Sequence, residues 1–490
     1  MHPDDTTIAL NRFLIWITKA ESAKRVRAGA DTAKPSANIT FCLSLIYYFS
    51  LCDFVLKFFP LGIAIVLRYL PEAALYLFVL GLLLKKWRIV SFPLFWPLCA
   101  CAVTMTISVI LNSSSKFAAV SDYRLFFRFA AFTYIGWRTT VTPQRITQFI
   151  NGFLGLTMIE LVVGGLELIG GSGTQMFFSP ILGLISGAPA GAANQIYGQA
   201  GFIFGTMSDY NQFGMFMTMS CILALALYFM QGLRRYLWLA IACALAVVFS
   251  FSRHSLLMLP LAIGCLLLLR RKTIAVAYLI RVGLVVLASL ATIIGLVNRF
   301  DPDSGERFAT ISAEQLDLGN VENMRLIMTM ELTPRFLSAY PFFGQGPIAP
   351  SDAVQFGETD ESKGPPLKAA PDLPPQATIY LGDVPWVMIL GLYGCFGLAA
   401  FGFVLWSIAA AANRVRTKVS HPAGVALAQA CLATIVPFVV SGFFSEEMVT
   451  RDTIPVFWAL AGIVFSLAMN VGSNNHEVKK GADMTAGISA

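Results

Sequence analysis

Arg253 interrupts an apolar run that extends from Val247 to Leu269, in the order Phe-Ser-Arg-His-Ser. A guanidinium at membrane depth is unfavourable by roughly 3 kcal/mol or more, so it needs a partner, a watery cavity or a route to the interface. Two readings stand. The side chain snorkels to the interface, or it lines an outward pocket and binds an anion with the bidentate geometry suited to phosphate. Its neighbour His254 either satisfies a backbone carbonyl or takes a direct part in the chemistry. Arg124 and Arg128 lie four residues apart and share a helix face, with Asp122 near enough to neutralise one of them, which offers a second anion contact. Glu160 and Glu167, seven apart, also share a face and could pair with such arginines inside the bundle.

Further along, Asn323-Met-Arg325 opens a stretch with helical spacing, and Arg335 follows just before Tyr-Pro-Phe-Phe-Gly-Gln-Gly-Pro347. Arginines of this set converging on one pocket would hold a diphosphate; the alternative for Arg325 and Arg335 is a solvated helix face. Gly344 and Gly346 lack the strand, the following helix and the lysine of a phosphate-binding loop, and read as a turn. Asp383, in Gly382-Asp-Val-Pro-Trp386, is either a helix N-cap or a base aimed at a substrate.

The elements that must position these groups follow from composition. Of 490 residues, 56% are hydrophobic and 13% charged, against roughly a quarter charged in soluble domains. Mean hydropathy is +0.68. That excludes a soluble enzyme. Apolar blocks of about 15 to 25 residues, closed by Arg/Lys clusters, have the length of spanning helices. The net charge of +7 sits mostly at helix ends, which argues against a nucleic-acid partner. All nine cysteines fall in apolar blocks without metal or redox spacing, so no metal site and no cofactor is expected.

Spans are expected near 39-67, 72-84, 92-112, 117-137, 146-170, 209-230, 237-252, 255-269, 278-298, 384-406, 423-444 and 453-470, an all-α polytopic membrane protein of about 12 helices. Arg68 and Glu72 interrupt the first apolar pair. Loops assigned to the cytoplasm carry Lys85, Lys86, Arg88, Arg138, Arg145, Arg234, Arg235, Arg270, Arg271, Lys272, Arg414, Arg416 and Lys418, as the positive-inside bias requires. The organisation expected is a basic cytoplasmic tail (1-38), a membrane domain (39-298), one large extracytoplasmic loop (299-383), a second membrane portion (384-470) and a cytoplasmic tail (471-490). The loop divides into an amphipathic part and a Pro/Gly-rich part from Ile348 to Gln376.

These landmarks resemble the superfamily of O-antigen ligases and polysaccharide polymerases, bacterial membrane glycosyltransferases. The segments that carry the resemblance are Gly205-Thr-Met-Ser-Asp-Tyr-Asn211, Phe-Ser-Arg253, Asn323-Met-Arg325 through Pro341-Phe-Phe-Gly344-Gln-Gly346, and Asp383 with Gly391-Leu-Tyr-Gly394. The resemblance covers roughly residues 200 to 400 and implies a GT-C-like fold in the bacterial inner membrane, both termini cytoplasmic, with the active site facing the periplasm. It implies a metal-independent, inverting transferase acting on a glycan linked to undecaprenyl diphosphate. Arg253 and Arg325 then bind the diphosphate, helped by Arg335, Arg124 and Arg128, with His254, Asn211 and Glu160 as accessory groups. Ligases of the superfamily place a histidine where the loop returns to the membrane; here that position is Asp383, which favours polymerisation of a surface or exopolysaccharide over transfer to lipid A-core. A chain-length regulator or export machinery is the partner such a polymerase would have. The reading from another class is a flippase or secondary transporter, for which Glu160 and Lys57 would mark a translocation path.

Overall fold

The computed structural model describes residues 37-85, 89, 91-112, 116-139, 142-178, 203-207, 210-250, 252-270, 288, 295, 333-347, 385-442 and 455-470. Among these, all regular structure is helical and there is no strand. In chain order the helices are α1 (Ala37–Leu56), α2 (Leu61–Lys85), α3 (Phe95–Asn112), α4 (Lys116–Trp137), α5 (Pro143–Phe178), α6 (Tyr210–Gln231), α7 (Arg234–Phe249), α8 (Arg253–Leu269), α9 (Thr333–Ala339), α10 (Pro385–Lys418), α11 (Pro422–Ser441) and α12 (Pro455–Asn470). Among the described residues, five of these (α2, α5, α6, α10 and α11) are long and apolar enough to cross a bilayer, and α1, α3, α8 and α12 are shorter apolar helices. The chain is a helical protein of membrane character. The expected span at 278-298, the tails and most of the long loop lie outside the described residues.

Helix ends fall close to the charge clusters read from sequence, with one correction. The first break is at Phe58–Pro60, and α2 runs uninterrupted through Arg68, Pro71 and Glu72. Hydropathy placed the break at those charges; the backbone places it at Pro60, and the charges are accommodated by partners instead. Pro71 has no N–H, so the Leu67 carbonyl one turn earlier loses its helical donor. The Tyr48 hydroxyl of α1 donates to that carbonyl at 2.8 Å. Where no water reaches, a repair of this kind is what allows a proline inside a helix.

α6 forms the centre, buried along most of its length and packed by α7, α8 and α11. Around it, neighbouring helices approach through small residues. In α4 and α12, a Cβ at Gly462 would lie 2.3 Å from the Thr133 carbonyl oxygen, and one at Gly136 would lie 2.7 Å from that of Ala459. Thr133 Oγ1 donates to the Trp458 carbonyl at 3.1 Å, and Ser466 Oγ donates to that of Thr139 at 2.7 Å. Tyr47 of α1 likewise donates to the Gly152 carbonyl of α5 at 2.7 Å.

Gly462→Ala is expected to destabilise the bundle by about 1–3 kcal/mol, because the clash is with main chain that cannot rotate away. Gly402, with open space around it, serves as the control: Gly402→Ala leaves the detergent-solubilised melting temperature unchanged or slightly raised.

Candidate functional site

Those parts of the segments singled out above that fall among the described residues lie toward the end of the bundle where α1, α3, α5, α7 and α11 finish and α6, α8 and α10 begin. The turn at Ile203–Met207 precedes α6 and is held by two carboxylates of α5. Glu167 Oε2 accepts the amides of Phe204 and Gly205, both at 2.9 Å, and Glu160 Oε2 accepts that of Thr206 at 2.9 Å. Glu160 Oε1 also accepts the Thr206 hydroxyl at 2.5 Å, and that hydroxyl lies 3.3 Å from the Ser50 carbonyl of α1. Both glutamates are fully buried. A carboxylate removed from water requires hydrogen-bond donors, and here the donors are consecutive main-chain N–H groups. Gly205 has φ +63°, and a Cβ there would lie 2.3 Å from Glu160 Oε2 and 2.9 Å from the Phe213 ring. Only glycine fits between the carboxylate and the turn.

The same turn is tied to the hinge that carries Arg253, since Ile203 N donates to the Phe249 carbonyl at 3.3 Å. Ser252 caps α8, its hydroxyl accepting Ser255 N at 3.4 Å. The His254 ring is buried, with Nδ1 3.1 Å from Ser252 Oγ and Nε2 3.2 Å from Ser255 Oγ. Those two oxygens are 2.9 Å apart, whereas the in-plane bonding directions of the two ring nitrogens diverge, so at most one of the contacts is in line. Gly214 of α6 accommodates this hinge, because a Cβ there would sit 2.6 Å from Ser255 Oγ and 3.0 Å from Ser250 Oγ. Arg253 is the first residue of α8. Asn211 lies in the first turn of α6.

The second gathering joins Pro341–Gly346 to a break in α10 at Gly394, where φ is +68°. In an unbroken helix, Cys395 N would bond the Gly391 carbonyl and Phe396 N that of Leu392. Instead, Gln345 N donates to Gly391 O at 2.7 Å and Gly346 N to Leu392 O at 3.0 Å, while Cys395 N donates to Pro341 O at 2.9 Å and Phe396 N to Phe342 O at 3.2 Å. These four groups freed by the break are taken up by the turn. Ser108 of α3 adds a bond to the Leu392 carbonyl at 2.6 Å. Gly344 and Gly346 therefore form a turn, their positive φ values of 69° and 75° serving backbone contact. α9 lies against the same place, its Phe336 ring 2.7 Å from where a Cβ of Gly391 would be. Arg335 is the neighbouring residue of α9.

Arg124 and Arg128 find their acid in α2. Glu72 Oε1 lies 3.4 Å from Arg124 Nε, and Oε2 lies 4.0 Å from Arg128 Nη1. Tyr76 reaches Glu72 Oε1 at 3.4 Å and the Arg124 carbonyl at 2.8 Å. Glu72 and Arg128 are buried while Arg124 is half exposed. The charge that sequence reading treated as a helix interruption is the partner of these arginines, and Glu160 and Glu167 serve the α6 turn. Lys57, between α1 and α2, sits against the rings of Phe54, Phe58 and Phe177 at 4.6, 5.4 and 4.8 Å from their centres. Desolvation by these rings lowers its pKa. Arg325 and Asp383 lie outside the described residues. The chain matches no protein-family model and no curated protein.

Glu167→Ala is expected to lower the melting temperature, since two buried amides lose their acceptor at about 1–3 kcal/mol each. Glu167→Gln, which keeps one acceptor oxygen, is expected to retain most of the wild-type value in the same thermal scan.

Proposed function

We propose that this chain is a polysaccharide polymerase of the O-antigen ligase-like kind, joining undecaprenyl-diphosphate-linked repeat units at the periplasmic face of the bacterial inner membrane. The observation that carries the reading is the gathering just described. Ile203, two residues before Gly205, donates its main-chain N–H to the carbonyl of Phe249, which leads into Phe-Ser-Arg253, and Pro341-Phe-Phe-Gly-Gln-Gly346 meets Gly391-Leu-Tyr-Gly394. Segments chosen from sequence for their chemistry lie, within each pair, side by side at one end of the bundle.

In this reading a sugar hydroxyl of the acceptor attacks the anomeric carbon of the donor. Its oxygen forms the new glycosidic bond as the bond from that carbon to the lipid diphosphate breaks, with inversion. The diphosphate leaves with the bonding electron pair, and Arg253 and Arg325, assisted by Arg335, stabilise the charge it gains. The hydroxyl proton passes to Asp383, a carboxylate adequate to accept it late in the transition state. The lipid tail stays in the bilayer between helices, and a chain-length regulator or export machinery receives the product. The transporter reading draws on a different observation, the ion group of Glu72, Arg124 and Arg128 within α2 and α4, since buried charges at membrane depth also mark translocation paths.

The deciding experiment incubates purified protein in liposomes with undecaprenyl-diphosphate-linked repeat units and resolves the products by size. A ladder spaced by one repeat is expected. Transfer only to added lipid A-core would make the chain a ligase, and movement of the lipid-linked glycan without any new glycosidic bond would make it a transporter. Arg253→Ala and Arg325→Ala are each expected to reduce ladder formation by about 100-fold or more while the protein remains in the membrane. Asp383→Asn, which still caps a helix but accepts no proton, is expected to abolish it; retained activity would assign Asp383 to capping.

A further inference from the structure

The break in α10 has a consequence for the proposed reaction that no single side chain carries. A continuous helix would satisfy Gly391 O, Leu392 O, Cys395 N and Phe396 N by itself, so the membrane helix has no need of the Pro341–Gly346 turn for its own backbone bonds. The chain nevertheless breaks the helix and hands those groups to the turn through four reciprocal bonds of 2.7–3.2 Å. Two glycines permit the approach. A Cβ at Gly344 would lie 2.3 Å from the Leu392 carbonyl carbon, and one at Gly394 would lie 2.3 Å from the carbonyl carbon and oxygen of Phe342. Phe342 and Phe343 then pack on Phe396, with ring centres 5.7 and 5.3 Å apart.

We propose that this exchange is a positioning device that holds α9, the helix that carries Arg335, in a fixed relation to the first half of α10. The inference rests on the polymerase reading. Phe336, next to Arg335, seats on Gly391, and Gly391 stands six residues into α10, about 9 Å along its axis from Pro385. α9 and the first half of α10 are thereby referred to one junction rather than to opposite ends of a long loop. Gly344, Gly391, Gly394 and Phe336 act through others and touch no substrate.

The test is Gly394→Ala in the full-length protein. An alanine disfavours the positive φ and favours a straight α10 that satisfies its own backbone, so the protein stays folded while the turn is released. The expected result is a folded protein of lowered melting temperature, loss of amide-exchange protection over residues 342-346, and a kcat about 100-fold lower with the donor KM changed less than about threefold, as misplacement of reacting groups by about 1 Å predicts. Protection lost with kcat unchanged overturns the positioning role, and protection retained overturns the exchange as the thing that Gly394 permits. Should Gly394→Ala fail to fold, Gly391→Ala takes its place. It forces Phe336 off its seat, kcat falls, and Phe336→Leu in the same chain restores it; absence of that rescue also overturns the proposal. A wild-type protein that makes no polymer sinks the polymerase reading alone, whereas a polymerising wild type matched by Gly394→Ala sinks this inference alone.

Discussion

A main-chain amide or carbonyl that loses its helical partner inside an apolar medium has nowhere cheap to go, and the architecture of this protein is arranged around that fact. At Gly394 such groups are released together, and four of them are met by main-chain groups of the turn at 341-346. At Pro71 a single carbonyl is released, and Tyr48 meets it from the neighbouring helix. Before α6 the sequence leaves helical geometry altogether, and two glutamates supply the acceptors that the backbone lacks. At these three places irregular or interrupted backbone comes with a partner, and two of them, at Gly394 and before α6, lie in segments whose residue types suggest chemistry.

Much of the helical layout was legible because hydropathy and charge speak to the same boundary: α3, α4, α6, α7 and α8 begin and end within a few residues of the apolar blocks. α1 and α2 departed from it because hydropathy counts Arg68 and Glu72 as costs without seeing their compensation. Glu72 is satisfied by Arg124 and Arg128, both distant in sequence, and by Tyr76 one turn along α2, and Pro60, one letter among many prolines, is where the chain turns. The shared face of Glu160 and Glu167 was readable from their spacing. Their partners were not, since a backbone amide has no letter of its own. The turn at Gly344 and Gly346 was readable from its residue types, but the broken helix that receives it was not, because Gly391-Leu-Tyr-Gly394 sits inside an otherwise uniform apolar run.

The two gatherings differ in what holds them. The α6 turn relies on buried carboxylates, and Gly205 and Gly214 are the places where the packing leaves no room for a side chain. The α10 junction relies on hydrogen bonds between neutral groups, with aromatic rings closing its flank. The first is sensitive to changes in charge, the second to changes in shape.

Because the α10 junction is written almost wholly in main chain, most of its side chains are free of the burden of specifying it. Substitutions at Pro341, Phe343 or Cys395 alter its surroundings while the bonds that define it stay available, and the glycines at the close approaches are what resist change. An arrangement of this kind tolerates extensive drift in sequence while the geometry at its centre persists. Two chains sharing it could therefore differ at nearly every letter and still present the same junction.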